Sequence, residues 1–219
     1  EAITQALAEQ RDPAARQDAE ARRRAVVAQS QQRFEFMLYR MLLARRAIDY
    51  DDFLALTQPH SLPLAPRQAL SLPETVARRA AFQDIRPRDV SLFDGVRYTP
   101  GWVGCAMSYK FLAQQALHHG LPQIEIMEDD VELPPDFITR KARVDRYLAE
   151  REGQWDVFVG LMALVHPETR VLQIDRIDGE LFVTIDRMIS MVHNTYSRQA
   201  MEWLAQWDPH NQDAEVNTI

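Results

Sequence analysis

The sequence predicts an α/β domain with a mainly parallel sheet, preceded by an N-terminal helical region. Three observations lead there. Short apolar runs alternate with helical stretches from about residue 68 onward. Residues 13–49 form a glycine-free stretch rich in Ala, Arg, Gln and Glu. Between the two, Pro59, Pro63, Pro66 and Pro73 break any helix and mark a connector. The boundary falls there, giving a helical region over 1–57 and an α/β domain over 58–219.

In the first region Val27, Phe34, Leu38, Met41 and Ile48 recur at helical spacings and form one apolar stripe. That stripe needs a partner: the following domain, the short helix suggested by DDFLAL at 51–56, or a second copy in a homodimer. The run Arg22–Arg24 reads as a solvated helix face. In the second region QALSL at 68–72 is strand-like, TVARRAAF helical and VSLF at 90–93 a strand. CAMSYKFLAQQALHHG is a helix that Gly120 closes as a C-terminal cap. IEIM at 124–127 is a strand, and Asp136 is placed to cap a helix FITRKARVDRYLAERE. WDVFVGL is another strand, and VLQIDRIDGELFVTI is a hairpin turning at Asp178 and Gly179. RQAMEWLAQW is helical and follows His193, which stands after the apolar run MISMV.

Hydrophobic content of 46% and charged content of 26% fit a chain that folds around a core. A formal net charge of -7 argues against non-specific binding to nucleic acid, which needs a basic surface to displace counterions. The single cysteine, Cys105, excludes an internal disulfide and fits a reducing compartment. It reads as a small buried hydrophobe or a nucleophile, the former being the commoner fate of free cysteine. No stretch approaches a membrane span, and EAITQALAEQ lacks a signal peptide's basic and apolar regions.

The chemistry concentrates where the strand IEIM ends in Glu128, Asp129 and Asp130. Adjacent carboxylates raise one another's pKa, so something must offset the repulsion: solvent and a helix N-terminus, or a divalent cation. In a parallel α/β sheet these acids fall at the carboxyl end of a strand, where ligands bind. If the strand persists, Glu128 and Asp130 face one side and Asp129 the other; if it has ended, Asp129 is the closer ligand. Arg78 and Arg79 lie early in the helix after the first strand, where guanidinium forks and a helix N-terminus suit phosphate, or else they belong to an exposed amphipathic helix. Asp94 is a hydrogen-bond acceptor for ribose or sugar hydroxyls, or an ordinary Asp-Gly turn residue. Gly101 and Gly104 permit close backbone approach to a ligand, or tight chain turning. His118 and His119, at a helix end, complement its dipole.

Residues 101–137, GWVGCAMSYKFLAQQALHHGLPQIEIMEDDVELPPDF, closely resemble glycosyltransferase family 25, the lipooligosaccharide and collagen galactosyltransferases. Gly101, Gly104, Cys105, Ser108, Glu128, Asp129, Asp130, Val131 and Phe137 fall in register with that family's motifs. SLPETVARRAAF, LFDGV, WDVFVG and HNTYSRQA extend the likeness over about 66–219. Tyr109 stands where the family usually has His, and the family's usual C-terminal region has no counterpart before Ile219.

The resemblance implies a GT-A-type nucleotide-sugar-binding domain and an inverting transfer of a hexose, galactose above all, from a UDP-sugar to a glycan or glycolipid hydroxyl. It implies manganese or magnesium held by Glu128, Asp130 and His193, and donor contacts from Arg78, Arg79, Asp94, Gly101, Ser108 and Asp129. Hard oxygen ligands suit those cations, and a metal would neutralise charge on the departing diphosphate. The acceptor-activating base is expected at Asp213, the competing view being a solvated loop acid. Two other functions remain open: a non-catalytic module that binds a nucleotide-sugar or a glycan, and a metal-dependent phosphoesterase. The expected location is the cytoplasm, with peripheral association at the cytoplasmic face of the inner membrane.

Overall fold

The computed structural model describes residues 13–57, 64–162, 164–208 and 210; Asp213 lies outside them. The chain divides into two compact units, Glu1–Gln58 and Pro59–Ile219.

In the first unit, α1 (Pro13–Ala44) is followed by α2 (Tyr50–Leu56). Good helix formers carry α1, and Asp18–Arg22 and Glu20–Arg24 ion pairs one turn apart lie along its solvated face. It ends where Arg46 enters the left-handed region at φ 57°, with Ala47 N–H donating to the Leu42 carbonyl. α2 starts at a capping box: the Asp49 carboxylate accepts from the Asp52 amide at 2.9 Å, and the Asp52 carboxylate takes the Asp49 amide in return. Phe36 meets Phe53 edge to face at 6.0 Å. The expected stripe is not the buried face: Val27 and Phe34 are 61% and 66% exposed, Leu38 and Met41 are exposed as well, and Ile48 is half-buried. Burial goes instead to Arg40 and Leu43.

The second unit is a mixed α/β domain. Its elements run β1 (Arg67–Ser71), α3 (Val76–Ile85), β2 (Ser91–Asp94), α4 (Gly101–His118), β3 (Gln123–Glu128), α5 (Phe137–Ala149), β4 (Val157–Leu161), β5 (Val171–Ile177), β6 (Glu180–Ile185), β7 (His193–Ser197) and α6 (Arg198–Gln206). The central sheet has the order β2-β1-β3-β7-β4. β1 pairs parallel with β2 and β3, while β7 pairs antiparallel with β3 and β4. Four strands therefore point one way, and β7 alone is reversed between β3 and β4.

Two helical layers cover this sheet. α4 and α6 close one face around Leu70, Leu112, Ile124, Ile126, Tyr196 and Leu204. α3 and α5 border the other, around Ala69, Phe82, Val90, Met127 and partly buried Phe137. Each such aliphatic or aromatic side chain contributes roughly 1.5–3 kcal/mol on burial. α4 ends as its sequence requires: Gly120 sits at φ 68° and Leu121 N–H returns to the Ala116 carbonyl at 2.9 Å. Asp136 precedes α5, but its side chain makes no capping bond, because its backbone lies at φ -96°, ψ 13° rather than in the extended region. The expected hairpin is β5–β6, whose two-residue turn holds Asp178 and Gly179 at φ 53° and 82°. Its inner face stacks Phe182 on Tyr147 at 3.8 Å.

One strand differs from expectation. The apolar run before His193 supplies only a single bridge, Ile189 to Leu164, whereas the polar-looking HNTYS is the buried strand β7. Its polar side chains are only partly satisfied: Asn194 Nδ2 donates to the Ser190 carbonyl at 2.8 Å and lies 3.0 Å from the Tyr196 hydroxyl, whereas Asn194 Oδ1 and Thr195 Oγ1 are buried without a hydrogen-bond partner among the described residues. Among the described residues no helix is long and apolar enough to cross a membrane.

Candidate functional site: carboxylates and arginines at the strand ends

Because β1, β2 and β3 are parallel and in register, their carboxyl ends lie side by side. Ser71 is opposite Asp94, and Leu70 opposite Glu128. The chain then turns, Val131 N–H donating to the Glu128 carbonyl at 3.3 Å, while the Asp129 amide donates to the Leu70 carbonyl of β1 at 3.1 Å. The turn separates the three acids. Asp129 points inward, its side chain fully buried, accepting from the Ser71 hydroxyl at 2.6 Å with Arg78 Nε 2.7 Å from its other oxygen. Glu128 lies on the α4 side and Asp130 is exposed, 3.4 Å from Arg78 Nη1.

Arg78 and Arg79, in the first turn of α3, divide their work. Arg78 spans Asp129 and Asp130, and Arg79 pairs with Asp94 at 2.6 Å. Burial raises the Glu128 carboxyl pKa, and the Asp130 charge raises it further, against the opposing pull of Cys105 and Arg78. The Cys105 thiol, 3.6 Å from Glu128, is itself pushed up by burial and by the Glu128 charge. A thiol so held is a weak donor to the carboxylate, and the nucleophile reading loses its thiolate.

The other expected residues go elsewhere. Ser108 is buried one turn beyond Gly104, accepting from the Val96 amide and donating to the Gly104 carbonyl, both at 2.8 Å. It anchors the loop after Asp94 and has no free hydrogen for a ligand. A Cβ on Gly104 would come within 2.5 Å of the Val96 carbonyl oxygen, so that glycine serves helix-to-loop packing. Gly101 has nothing within 4 Å of a built Cβ. His193 does not join Glu128 and Asp130. It pairs in register with Met127, and its Nε2 lies 2.8 Å from Glu125, on the face of β3 opposite Glu128. Tyr109 is wholly buried, bonds the Met191 carbonyl and meets Tyr196 edge to face at 5.8 Å, so it is part of the core.

On that opposite face lies a second charged cluster that the strand pattern did not reveal. Glu125 is paired with Arg67 Nε and Lys141 Nζ, each at 2.9 Å, and with His193. Burial would raise the Glu125 pKa, but His193, Lys141 and Arg67 together hold it down at about 2. The available signal was a glutamate flanked by two isoleucines in IEIM, which is a charge inside a strand that must be paired if buried. Its partners include Arg67, 58 residues before, and His193, 68 after, which spacing cannot indicate.

Among the described residues no group of three or more His, Cys, Asp or Glu side chains is placed to hold a metal ion. Glu128 and Asp130 still suit a hard cation that takes two carboxylates and completes its shell with phosphate oxygens and water. No protein-family model matches the chain, and no curated protein matches it.

Proposed function

We propose that the second unit is a GT-A-type glycosyltransferase that moves a hexose, galactose first among them, from a UDP-sugar to a glycan or glycolipid hydroxyl. The observation that carries this reading is the meeting of Glu128 and Asp130 with Arg78, Arg79 and Asp94 at the carboxyl ends of three parallel strands. The likeness of residues 101–137 to family 25 supports it independently.

In this reading Glu128 and Asp130 hold manganese or magnesium. The cation supplies Lewis-acid stabilisation of the departing diphosphate. Burial first and the Asp130 charge second raise the Glu128 pKa, and a cation beside the two carboxylates would relieve both. Arg78 turns from Asp130 to the diphosphate, and Arg79 orients Asp94 toward donor hydroxyls. Ser108 and Gly104 position that loop from behind, and His193 has no ligand role. Asp213 is the proposed acceptor base. The protein works in the cytoplasm, at the inner face of the membrane that carries a glycolipid acceptor.

Titration calorimetry with UDP and UDP-galactose, with and without manganese, tests the reading. Saturable binding that strengthens with manganese and disappears in Asp130→Asn is expected, and no heat at millimolar UDP would end the proposal. A donor-binding module without transfer is the second reading. It is favoured by one observation: Arg78 already pairs with both Asp129 and Asp130 within the chain. Donor binding without turnover on any glycan acceptor would select it.

A further inference from the structure

A cleft of about 600 Å3 lies at the amino ends of β1 and β2, beside α5 and at the opposite end of the sheet from the carboxylate site. Its lining carries Arg67, Arg86, Arg88 and Lys141 against Asp89 and Asp145. Four cations against these two carboxylates and Glu125, which pairs with both Arg67 and Lys141, leave the concavity with a cation in excess in a chain of formal net charge -7. The volume is in the range that holds a small organic ligand.

Two of the cations are already committed. Arg67 is tied to Glu125 and Asp89, and Lys141 to Glu125 and Asp145. The other two form no ion pair among the described residues, and Arg88 is exposed. Arg86 gives Nη1 to the Val90 carbonyl, while its Nε is buried without a hydrogen-bond partner.

The loop that carries them is built, not slack. Arg86 N–H closes α3 on the Phe82 carbonyl at 2.8 Å. Pro87 follows with its φ fixed by the ring. Val90 N–H then returns to the Pro87 carbonyl at 3.1 Å, making Arg88 and Asp89 the centre of a turn whose end, Val90, is fully buried in the core. The two guanidinium groups are thus held on one short, anchored segment, which lowers the cost of ordering them around a ligand.

We propose that this cleft is a second ligand site, separate from the carboxylate site, for a small compound bearing a dianionic phosphate. Arg86 and Arg88 grip the phosphate as planar forks, and Lys141 and Arg67 supply positive charge from the floor. Asp89 and Asp145 compete with the ligand for Arg67 and Lys141. A singly charged anion gains too little to overcome them, and a doubly charged one overcomes them, so the site selects phosphate over acetate or chloride.

The test is calorimetry on the full chain without divalent cation, using inorganic phosphate and ribose 5-phosphate as probes and acetate as the control. Saturable phosphate binding in the low millimolar range or tighter is expected, with none for acetate. Arg88→Ala should weaken it about tenfold or more. Asp89→Asn should tighten it several-fold. Arg198→Ala, on α6 across the sheet, should leave it unchanged. Tighter binding of ribose 5-phosphate assigns the site to a phosphate ester, and equal binding assigns it to free phosphate; either upholds it. Absence of saturable binding, equal affinity in a folded Arg88→Ala protein, or loss of binding in a folded Arg198→Ala protein would overturn it.

Discussion

Glu125 and Glu128 stand three residues apart on one strand and experience opposite fates. Glu125 is almost fully buried, yet it is the stronger acid, because Arg67, Lys141 and His193 surround it. Glu128 is less buried, yet it is the weaker acid, because burial and the Asp130 charge raise it and the Cys105 thiol and Arg78 only partly oppose them. Burial penalises both charges. What differs is the company each face of the strand supplies. The first cluster is organised to hold the fold, and the second is left under electrostatic tension that a ligand can discharge.

The same Glu-to-Gln change should therefore act with opposite sign at the two positions. The largest effect is expected for Glu125→Gln, which leaves three basic groups facing one another in the interior. Chemical denaturation should show a loss of about 3–5 kcal/mol. A loss below about 1 kcal/mol would mean that water reaches this cluster and that the contrast between the faces is weaker than the geometry suggests.

Acid should reproduce part of that loss in the unmodified protein. Glu125 has a folded-state pKa near 2 against an ordinary value of 4.5. Its contribution is complete above about pH 4.5, falls as the pH drops through that window, and is gone below about 2. Stability measured from pH 5 to pH 2 should decline by up to a few kcal/mol more in the wild type than in Glu125→Gln. Parallel curves would remove Glu125 from the acid limb.

Asp129 belongs to the strand-end site by position but to the buried class by environment. Asp129→Asn should cost about 1–3 kcal/mol, since Ser71 and Arg78 lose a charged partner. A variant as stable as the wild type would move Asp129 to the ligand-facing group. Last, Glu128→Gln should stabilise the unliganded protein by about 0.5–1 kcal/mol, the scale of relieving a like-charge contact near the surface. The sign follows from its raised pKa: the native state is favoured when Glu128 is neutral, and this benefit is lost as the pH rises through the folded value. Destabilisation on this change would show that Cys105 and Arg78 already satisfy the carboxylate.

Much of the second unit was legible because its local signals agreed. Asp178-Gly179, Gly120 and the alternation of apolar runs each indicated an element that the fold contains. β7 was missed because its burial comes from lying between β3 and β4, a tertiary fact, while its own residues are polar. Periodicity marks the apolar stripe of α1 but does not say what covers it, and within the single chain burial falls on Arg40 and Leu43. At the strand ends, the identity of the clustered residues was readable. The inward turn of Asp129 was not, since it depends on a hydrogen bond to Leu70 of another strand. His193 was assigned to the wrong face for a related reason: its register with Met127 places it beside Glu125.

The reversed strand also dictates an order of assembly. Among the described residues β4 finds its one strand partner in β7, which is synthesised after the β5–β6 hairpin has emerged. Until then the growing chain can join β2, β1 and β3, but the flank of β3, with Ile124 and Ile126 beside it, has no neighbour. An unpaired apolar edge of this kind invites association between chains. A ribosome stalled between β4 and β7 would thus present an aggregation-prone intermediate, and the arrival of HNTYS would quench it by filling both edges at once.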